Sequence, residues 1–463
     1  MSTHYDMIVI GAGPAGMAAG TTAAQHGAKT LLLDEQRSPG GQIYRAIEEN
    51  KKRKRIDLGN AYQNGFGLAQ SLRNSSVEYI SGASVWQVSQ DLEVGYSKDG
   101  SAHVVTADQI ILATGALERP FPVPGWTLPQ VMTVGAAQIL LKESLIGIEN
   151  AVFAGTGPLL YLVVHQYLAA GIPVKAVIDL TPRSNYAQAL AHLPLSFSGL
   201  AKIAEGWRWK RKIASSGVKI ITGADDLRIL GSNTVEGIEY RLKNTWNKLD
   251  CEHVLLHQGV VPDINISLAA GCKSHWNERQ ACWNIYVDDW FESNVSGIAV
   301  SGDGASISGG IAAEQRGHIC ALGALERLNK ISQADRNKLA QKYQQILKSE
   351  MQVRPFLDVL FKPSDNFRIP KGEETIVCRC EEISVKQIRA SIDLGCVGPN
   401  QLKSYTRCGM GPCQGRLCGL TVCELIGDIR NEPVGSVGYY RLRPPIKPLL
   451  LDELANITNH VDS

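Results

Sequence analysis

Residues 5–20 read YDMIVIGAGPAGMAAG, and this stretch decides the fold of the N-terminal part. The apolar run from Tyr5 to Ile10 has the length and continuity of a buried strand. GAGPAG follows at 11–16, and an alanine-rich segment continues to Gly27 as a helix would. In such a strand–turn–helix unit Gly11 permits the tight turn, and Gly13, with Pro14 and Ala15 beside it, lets the backbone approach a pyrophosphate. Gly16 lets helix and strand pack closely. The helix N-terminus adds partial positive charge, so a phosphate is the expected ligand. A second apolar strand, Thr30 to Leu33, ends at Asp34, where a carboxylate accepts hydrogen bonds from a ribose, with Glu35 as the alternative.

Three later segments point to FAD rather than NAD. GGQ at 40–42 opens a loop after the second strand and makes Gly41 and Gln42 candidates. QIILATGALERP at 109–120 reads as a buried strand ending in a small-residue turn at Thr114 and Gly115. GIAVSGDGASISGGIAAEQRG at 297–317 is a strand ending at Gly302, followed by Asp303, a candidate for the ribityl hydroxyls. A helix starts near Gly309 and carries Ala312. Its N-terminus would face the flavin pyrimidine ring, where negative charge gathers on reduction.

With GAGPAG, ATGA and SGDGA in this order, residues 5–325 resemble the glutathione-reductase type of two-dinucleotide flavoproteins. The resemblance implies an α/β fold with two Rossmann-like domains. The FAD domain is then split into 1–148 and 256–328 around a second nucleotide domain, 149–255. That insert has its own motif, NAVFAGTGPLLYLVVHQYLAAG, with Gly155 and Gly157 at the first two glycine positions but Leu160 at the third. A leucine there pushes helix from strand, which leaves open an empty site or an adenine nucleotide, ATP or NAD(P), with Asp179 on its ribose. Arg183 reads as a solvated charge. No CxxC or CxxxxC pair stands early in the chain, and Cys272 and Cys282 read as ordinary small residues, so a thiol reductase is not expected.

The chain has 11 cysteines, four of them in a tight pattern near the C-terminus. Cys378 and Cys380 form CxC, Cys408 and Cys413 form CxxxxC, and 27 residues separate the pairs. Without an export signal such a pattern points to metal rather than disulfides. Between the pairs, Ser384 and Gln387 make a capping box, Val385, Ile388 and Ile392 give an apolar face, and Gly395 ends the helix. Gly409, Gly411 and Pro412 lie between the last two ligands, where backbone N–H groups can face cluster sulfides. That favours a 2Fe-2S cluster over zinc, which commonly uses CxxC knuckles. Cys418 and Cys423 read as packing residues on a following helix, with Cys418 in reserve should Cys408 not be used.

Residues 372–430 resemble the bacterioferritin-associated-ferredoxin type of 2Fe-2S domain. DEQRSPGGQIYR, HQGVVP, CRCEEIS and GMGPCQGR together resemble the A, or alpha, subunits of opine oxidases, hydrogen cyanide synthase and D-hydroxyproline dehydrogenase. That resemblance implies a hetero-oligomeric oxidoreductase acting on CH–NH donors. Its FAD-bearing beta subunit, similar to glycine or sarcosine oxidase, oxidises an amino acid or opine, and a further partner is a small third subunit. This chain would pass electrons to a quinone or dye, and it holds cofactor residues rather than catalytic acids or bases.

Composition agrees with this outline. At 463 residues the chain is too long for one core, and a net charge of +2 gives no polyelectrolyte signature, so nucleic acid is not an expected partner. The N-terminus shows no export signal and the most apolar window, 159–178, is interrupted by His165, Gln166, Gly171 and Pro173. A cytoplasmic chain without a transmembrane segment is expected, at most peripheral to the inner face of the membrane. KKRKR at 51–55 reads as a solvated loop. Residues 329–371, broken by Pro355, Pro363 and Pro370, read as a linker, and 431–463 as an arm over a neighbouring protomer.

Overall fold

The computed structural model describes residues 3–53, 58–193 and 197–457. Lys54 and Arg55 of the basic run lie outside the described residues. Strand His4–Ile10 leads into helix Pro14–Gln25 and pairs in parallel with Thr30–Asp34 on one side and Ser101–Leu112 on the other. Met7, Ile8 and Val9 are wholly buried, which is why the strand is apolar throughout after Asp6. Glu78–Ser81 lies outside Thr30–Asp34, so strand order reverses at His4–Ile10 and a crevice opens at the carboxyl ends of these strands.

Ser101–Leu112 is long because it serves two kinds of partner. Its first half pairs antiparallel with Glu93–Lys98, which in turn pairs with Ser84–Val88, while its end pairs in parallel with Ile298–Val300. A late strand thereby completes the early sheet, as a split unit requires. Helix Gly310–Arg327 follows and packs on Pro14–Gln25; a Cβ on Gly317 would lie 2.2 Å from Ala15 O, so the helices meet backbone to backbone.

The second sheet is wholly parallel, in the order Lys219–Thr222, Val174–Asp179, Ala151–Thr156, Val254–Gln258, Val131–Thr133. Strand Val131–Thr133 and helix Val134–Ser144 therefore belong to the second unit, which begins before residue 149, the boundary expected from sequence. A strand this short has too little pattern to be assigned from its residues alone. Val254–Gln258 also belongs to that sheet, and the chain returns to the first unit through Val260–Pro262, which pairs with Ala116–Glu118.

The expected linker is a packed strap. Pro355 opens helix Arg354–Leu360, as proline does in a first turn, and Phe356 and Leu360 pack on Ala189 of the second unit. The Asn185 side chain donates to Leu360 O and Lys362 O. The C-terminal part is mainly helical, with Val385–Asp393, Pro399–Thr406 and Gly419–Arg430 around a small core. The Ser384–Gln387 capping box is formed, and Gly395 follows the helix at φ +102°. Residues 431–457 do not extend away. They pack on their own chain, where Tyr440 is buried against the cysteines and Ile446 N donates to Trp86 O. Among the described residues no helix is long and apolar enough to cross a membrane.

Candidate functional site

The crevice of the first sheet is a cleft of about 430 Å³. Gly11, Gly13, Pro14, Ala15, Asp34, Glu35, Gly41, Gln42, Thr114, Gly115 and Asp303 all line it, as expected. The glycines are there for space. A Cβ on Gly11 would sit 2.4 Å from Ala113 O, and one on Gly41, at φ +58°, would sit 2.8 Å from Gly13 Cα. Gly16 and Gly302 do not line the cleft but let its walls close: their Cβ atoms would meet Gly11 O at 1.7 Å and the Ala15 side chain at 2.7 Å.

Three candidates need adjustment. Asp34 spends its carboxylate on the backbone, accepting from Ala12 N at 2.5 Å and Gln36 N at 2.6 Å. Burial raises its pKa above the ordinary carboxylate value despite these donors. Glu35 is the freer acid, although it pairs with Lys447. Burial pulls the Glu35 carboxyl upward, but Lys447, Arg416 and Arg45 together bring it below its ordinary value. Asp303 Oδ1 accepts from Ser308 N, Ser308 Oγ and Gly309 N, which fixes the loop before helix Gly310–Arg327. Ala312 faces the interior, and its neighbour Ala313 lines the cleft instead.

The second nucleotide motif is more closed. Gly155 is required, since a Cβ would lie 1.7 Å from His257 O, and Gly157 at φ +125° faces the His257 ring. His257 Nδ1 is hydrogen-bonded to Glu118 Oε1 at 2.6 Å, and Gly135 N donates to the other oxygen of Glu118. Asp179 is fully buried and already engaged: it accepts from the Tyr161 hydroxyl, from Thr181 N at 3.0 Å and from Lys210 Nζ at 3.3 Å. Leu160 is wholly buried in the core. Pro158 and Leu159, at the start of this helix, turn toward the first cleft and line it.

Five cysteines, not four, gather in the C-terminal part. The sulfurs of Cys378, Cys408 and Cys418 all lie within 4.8 Å of one another, and Cys380 and Cys413 are hydrogen-bonded to each other nearby. Reading Cys418 as mere packing is thus corrected; Cys423, whose thiol faces Gly438 O, is the packing residue. Cys378 lies far below its ordinary pKa. Hydrogen bonds from the Cys408 and Cys418 thiols dominate the shift, and backbone N–H groups of Gly409 and Glu381 add to it. Gly411 is needed because a Cβ would lie 2.3 Å from that of Cys380, and Gly409 because Tyr440 stands 2.5 Å away. This donor set of soft thiols, with backbone amides turned toward them, fits an iron–sulfur cluster.

Arg45, Gln138, Arg354, Arg416, Ile446 and Lys447 also line the cleft and were not singled out from sequence. Of these, Arg45 and Arg416 carried a signal, the first as the last residue of DEQRSPGGQIYR and the second by its place in GMGPCQGRLC between two cysteines.

Comparison with known proteins agrees with this anatomy. The family described as "Pyridine nucleotide-disulphide oxidoreductase" matches residues 5–159, and "Sarcosine oxidase A3 domain" matches 373–457, which joins the tail to the cysteine-bearing part. The chain is 42% identical to the opine oxidase A subunit of Agrobacterium tumefaciens (strain Ach5), over 99% of this chain and 92% of that one. It is 36% identical to the opine oxidase A subunit of Rhizobium meliloti (strain 1021), over 98% and 99%. It is 27% identical to hydrogen cyanide synthase subunit HcnB of Pseudomonas protegens (strain DSM 19095 / LMG 27888 / CFBP 6595 / CHA0), over 96% of each. The crystal structure of L-proline dehydrogenase from P. horikoshii shares the fold, with a TM-score of 0.72 at 18% identity over 97% of this chain and 78% of that one. Fold and cleft define a flavoprotein oxidoreductase built on Rossmann-like units. Within that class, the chain belongs to the family of opine oxidase A subunits.

Proposed function

We propose that this chain is the electron-transferring subunit of a heteromeric dye-linked dehydrogenase or oxidase, holding FAD in the first cleft and a 2Fe-2S cluster in the cysteine nest. One observation carries this reading: the loop between Cys413 and Cys418 forms part of the cleft wall, through Arg416. Binding site and thiols are thus built against each other. FAD supplies two-electron chemistry that can be released one electron at a time, which is what an iron–sulfur acceptor needs. The glycine turns would take the pyrophosphate, Glu35 the ribose, and the N-terminus of Gly310–Arg327 the pyrimidine edge.

Four of the five thiols serve the cluster, and helix ends choose among them. Cys418 is the N-cap of Gly419–Arg430, where the helix dipole favours a thiolate, whereas Cys408 lies just past the C-terminus of Pro399–Thr406, where it does not. The ligands are then Cys378, Cys380, Cys413 and Cys418. The Cys408 and Cys418 thiols both bond to Cys378 and both are pushed up in pKa by it, so the helix ends alone decide between them. In anaerobically purified protein, Cys418→Ser should lose most iron and acid-labile sulfide while Cys408→Ser keeps both. The reverse pattern would restore Cys408 to the ligand set, and a wild type lacking yellow absorbance and sulfide would end the whole reading.

The names of the relatives support a multi-subunit oxidase of amino acids or opines; in this reading the C–N bond is oxidised on a beta subunit similar to glycine or sarcosine oxidase. A quinone or dye then takes the electrons. Co-purification from the native cell, followed by a dye-linked substrate screen, tests the partner and the substrate together.

A further inference from the structure

The C-terminal part does more than carry thiols. Arg416 and Lys447, both from the segment that follows the strap, stand on the wall of the same cleft that the glycine cradle lines. The nucleotide unit and the strap offer little free positive charge there. Arg45 is committed to Glu143 and to the Gln42 side chain, and Arg354 is paired with Asp358. Arg416 differs. Its Nε donates to Cys413 O at 3.2 Å, within its own cysteine loop, while its charge acts on Asp263 and Glu35 in the cleft.

The loop is also fastened to the cleft. The Asn265 side chain donates to Gln414 O at 3.0 Å, and Asp263 and Ile266 on either side of Asn265 line the cleft. Lys447 pairs with Glu35, the acid at the adenosine end, and its neighbour Ile446 is held by Trp86 O at 3.0 Å. Glu35 thus holds Lys447, and Arg416 stands in the field of Asp263 and Glu35 without an ion pair of its own.

We propose that Arg416 and Lys447 bind the adenosine diphosphate half of the dinucleotide, so that the cysteine segment completes the cofactor site and cluster loading and dinucleotide binding strengthen each other. The inference rests on the function proposed above. The position of Arg416 depends on the loop from Cys413 to Cys418 being closed, and whatever closes that loop raises affinity in the cleft. Linkage requires the reverse as well: a dinucleotide bound to Arg416 must tighten the hold on the cluster, which slower loss of iron to a chelator would report.

The test uses full-length protein purified anaerobically, with FAD affinity read from quenching of flavin fluorescence and iron loss timed against a chelator. Wild type, Arg416→Gln, Arg416→Lys and Lys447→Gln are compared, each cluster-loaded and iron-stripped. Arg416→Gln should weaken FAD at least tenfold, Lys447→Gln by less, and Arg416→Lys should recover part of the loss. Stripping iron from the wild type should weaken FAD to about the level of Arg416→Gln. FAD should slow iron loss severalfold in the wild type and not in Arg416→Gln. Binding of FAD to Arg416→Gln within twofold of wild type, or an affinity unchanged by stripping, overturns the proposal; if Arg416→Gln does not fold, the wild-type stripping arm decides alone. A wild type that takes ADP or ATP but no FAD removes the FAD reading and leaves this inference to be read on ADP. A wild type holding both cofactors but indifferent to Arg416 removes only the inference.

Discussion

Gly16 has no room for a side chain, whereas Leu160 occupies the matching place in the second unit and is wholly buried. The same turn therefore closes once on a glycine and once on a buried leucine, and the difference was legible because it depends on a single residue type. Exact partners were less legible. Asp34 bonds to Ala12 and Gln36 backbone, and Ala313 rather than Ala312 meets the cleft, since helix phase is set by packing on Pro14–Gln25. On that same packed face His318 stacks on Tyr343, ring centroids 4.1 Å apart, and its Nδ1 lies 2.7 Å from the Thr22 hydroxyl. Burial, with Lys342 adding to it, lowers its pKa from 6.5 to about 4. Between those values the unfolded chain binds a proton that the native chain refuses, so stability falls as pH drops through 6.5 and levels off below about 4. The full window is worth about 3 kcal/mol. Urea unfolding of wild type and His318→Gln, compared from neutral to mildly acidic pH, should show the wild-type advantage shrinking with acid. A constant gap would mean that His318 is not held neutral.

At the scale of elements, the strand–turn–helix units, the capping box and the helix end at Gly395 follow from local pattern and were readable. The strap was not, because Phe356, Leu360 and Asn185 meet across a long sequence separation that no local pattern reports. Nor could the sequence say that Asp179 is filled from within. Tyr161 and Lys210 come from the helices on either side and take the place a ribose would need. NADH or NADPH added anaerobically should therefore leave the flavin spectrum unchanged over many minutes. Tyr161→Phe should cost about 1.5–3 kcal/mol, the usual worth of a hydrogen bond to a charged group, without changing flavin content. Rapid bleaching by NADH would show instead that the second unit opens.

Across the whole molecule, a buried charge group joins the first unit, the strap and the C-terminal part. Glu424, on helix Gly419–Arg430, pairs with Arg368 of the strap and lies 3.9 Å from Arg119 at the end of the first unit's ATG segment. Arg119 is fully buried, with its pKa lowered by burial to about 10, and donates to Gln280 O and Ala281 O. Removing one member leaves a charge without a partner in low dielectric, which costs ~3–5 kcal/mol. Glu424→Ala should lower the thermal midpoint and expose the strap to trypsin faster than in wild type. An unchanged digestion rate would mean the parts are held by apolar packing alone.

The double duty of Ser101–Leu112 reaches into synthesis. Its end waits for Ile298–Val300, far downstream in the chain. Until those have left the ribosome, a nascent chain presents an open strand edge beside an unfinished phosphate cradle, and holding apolar surface out of trouble falls to chaperones.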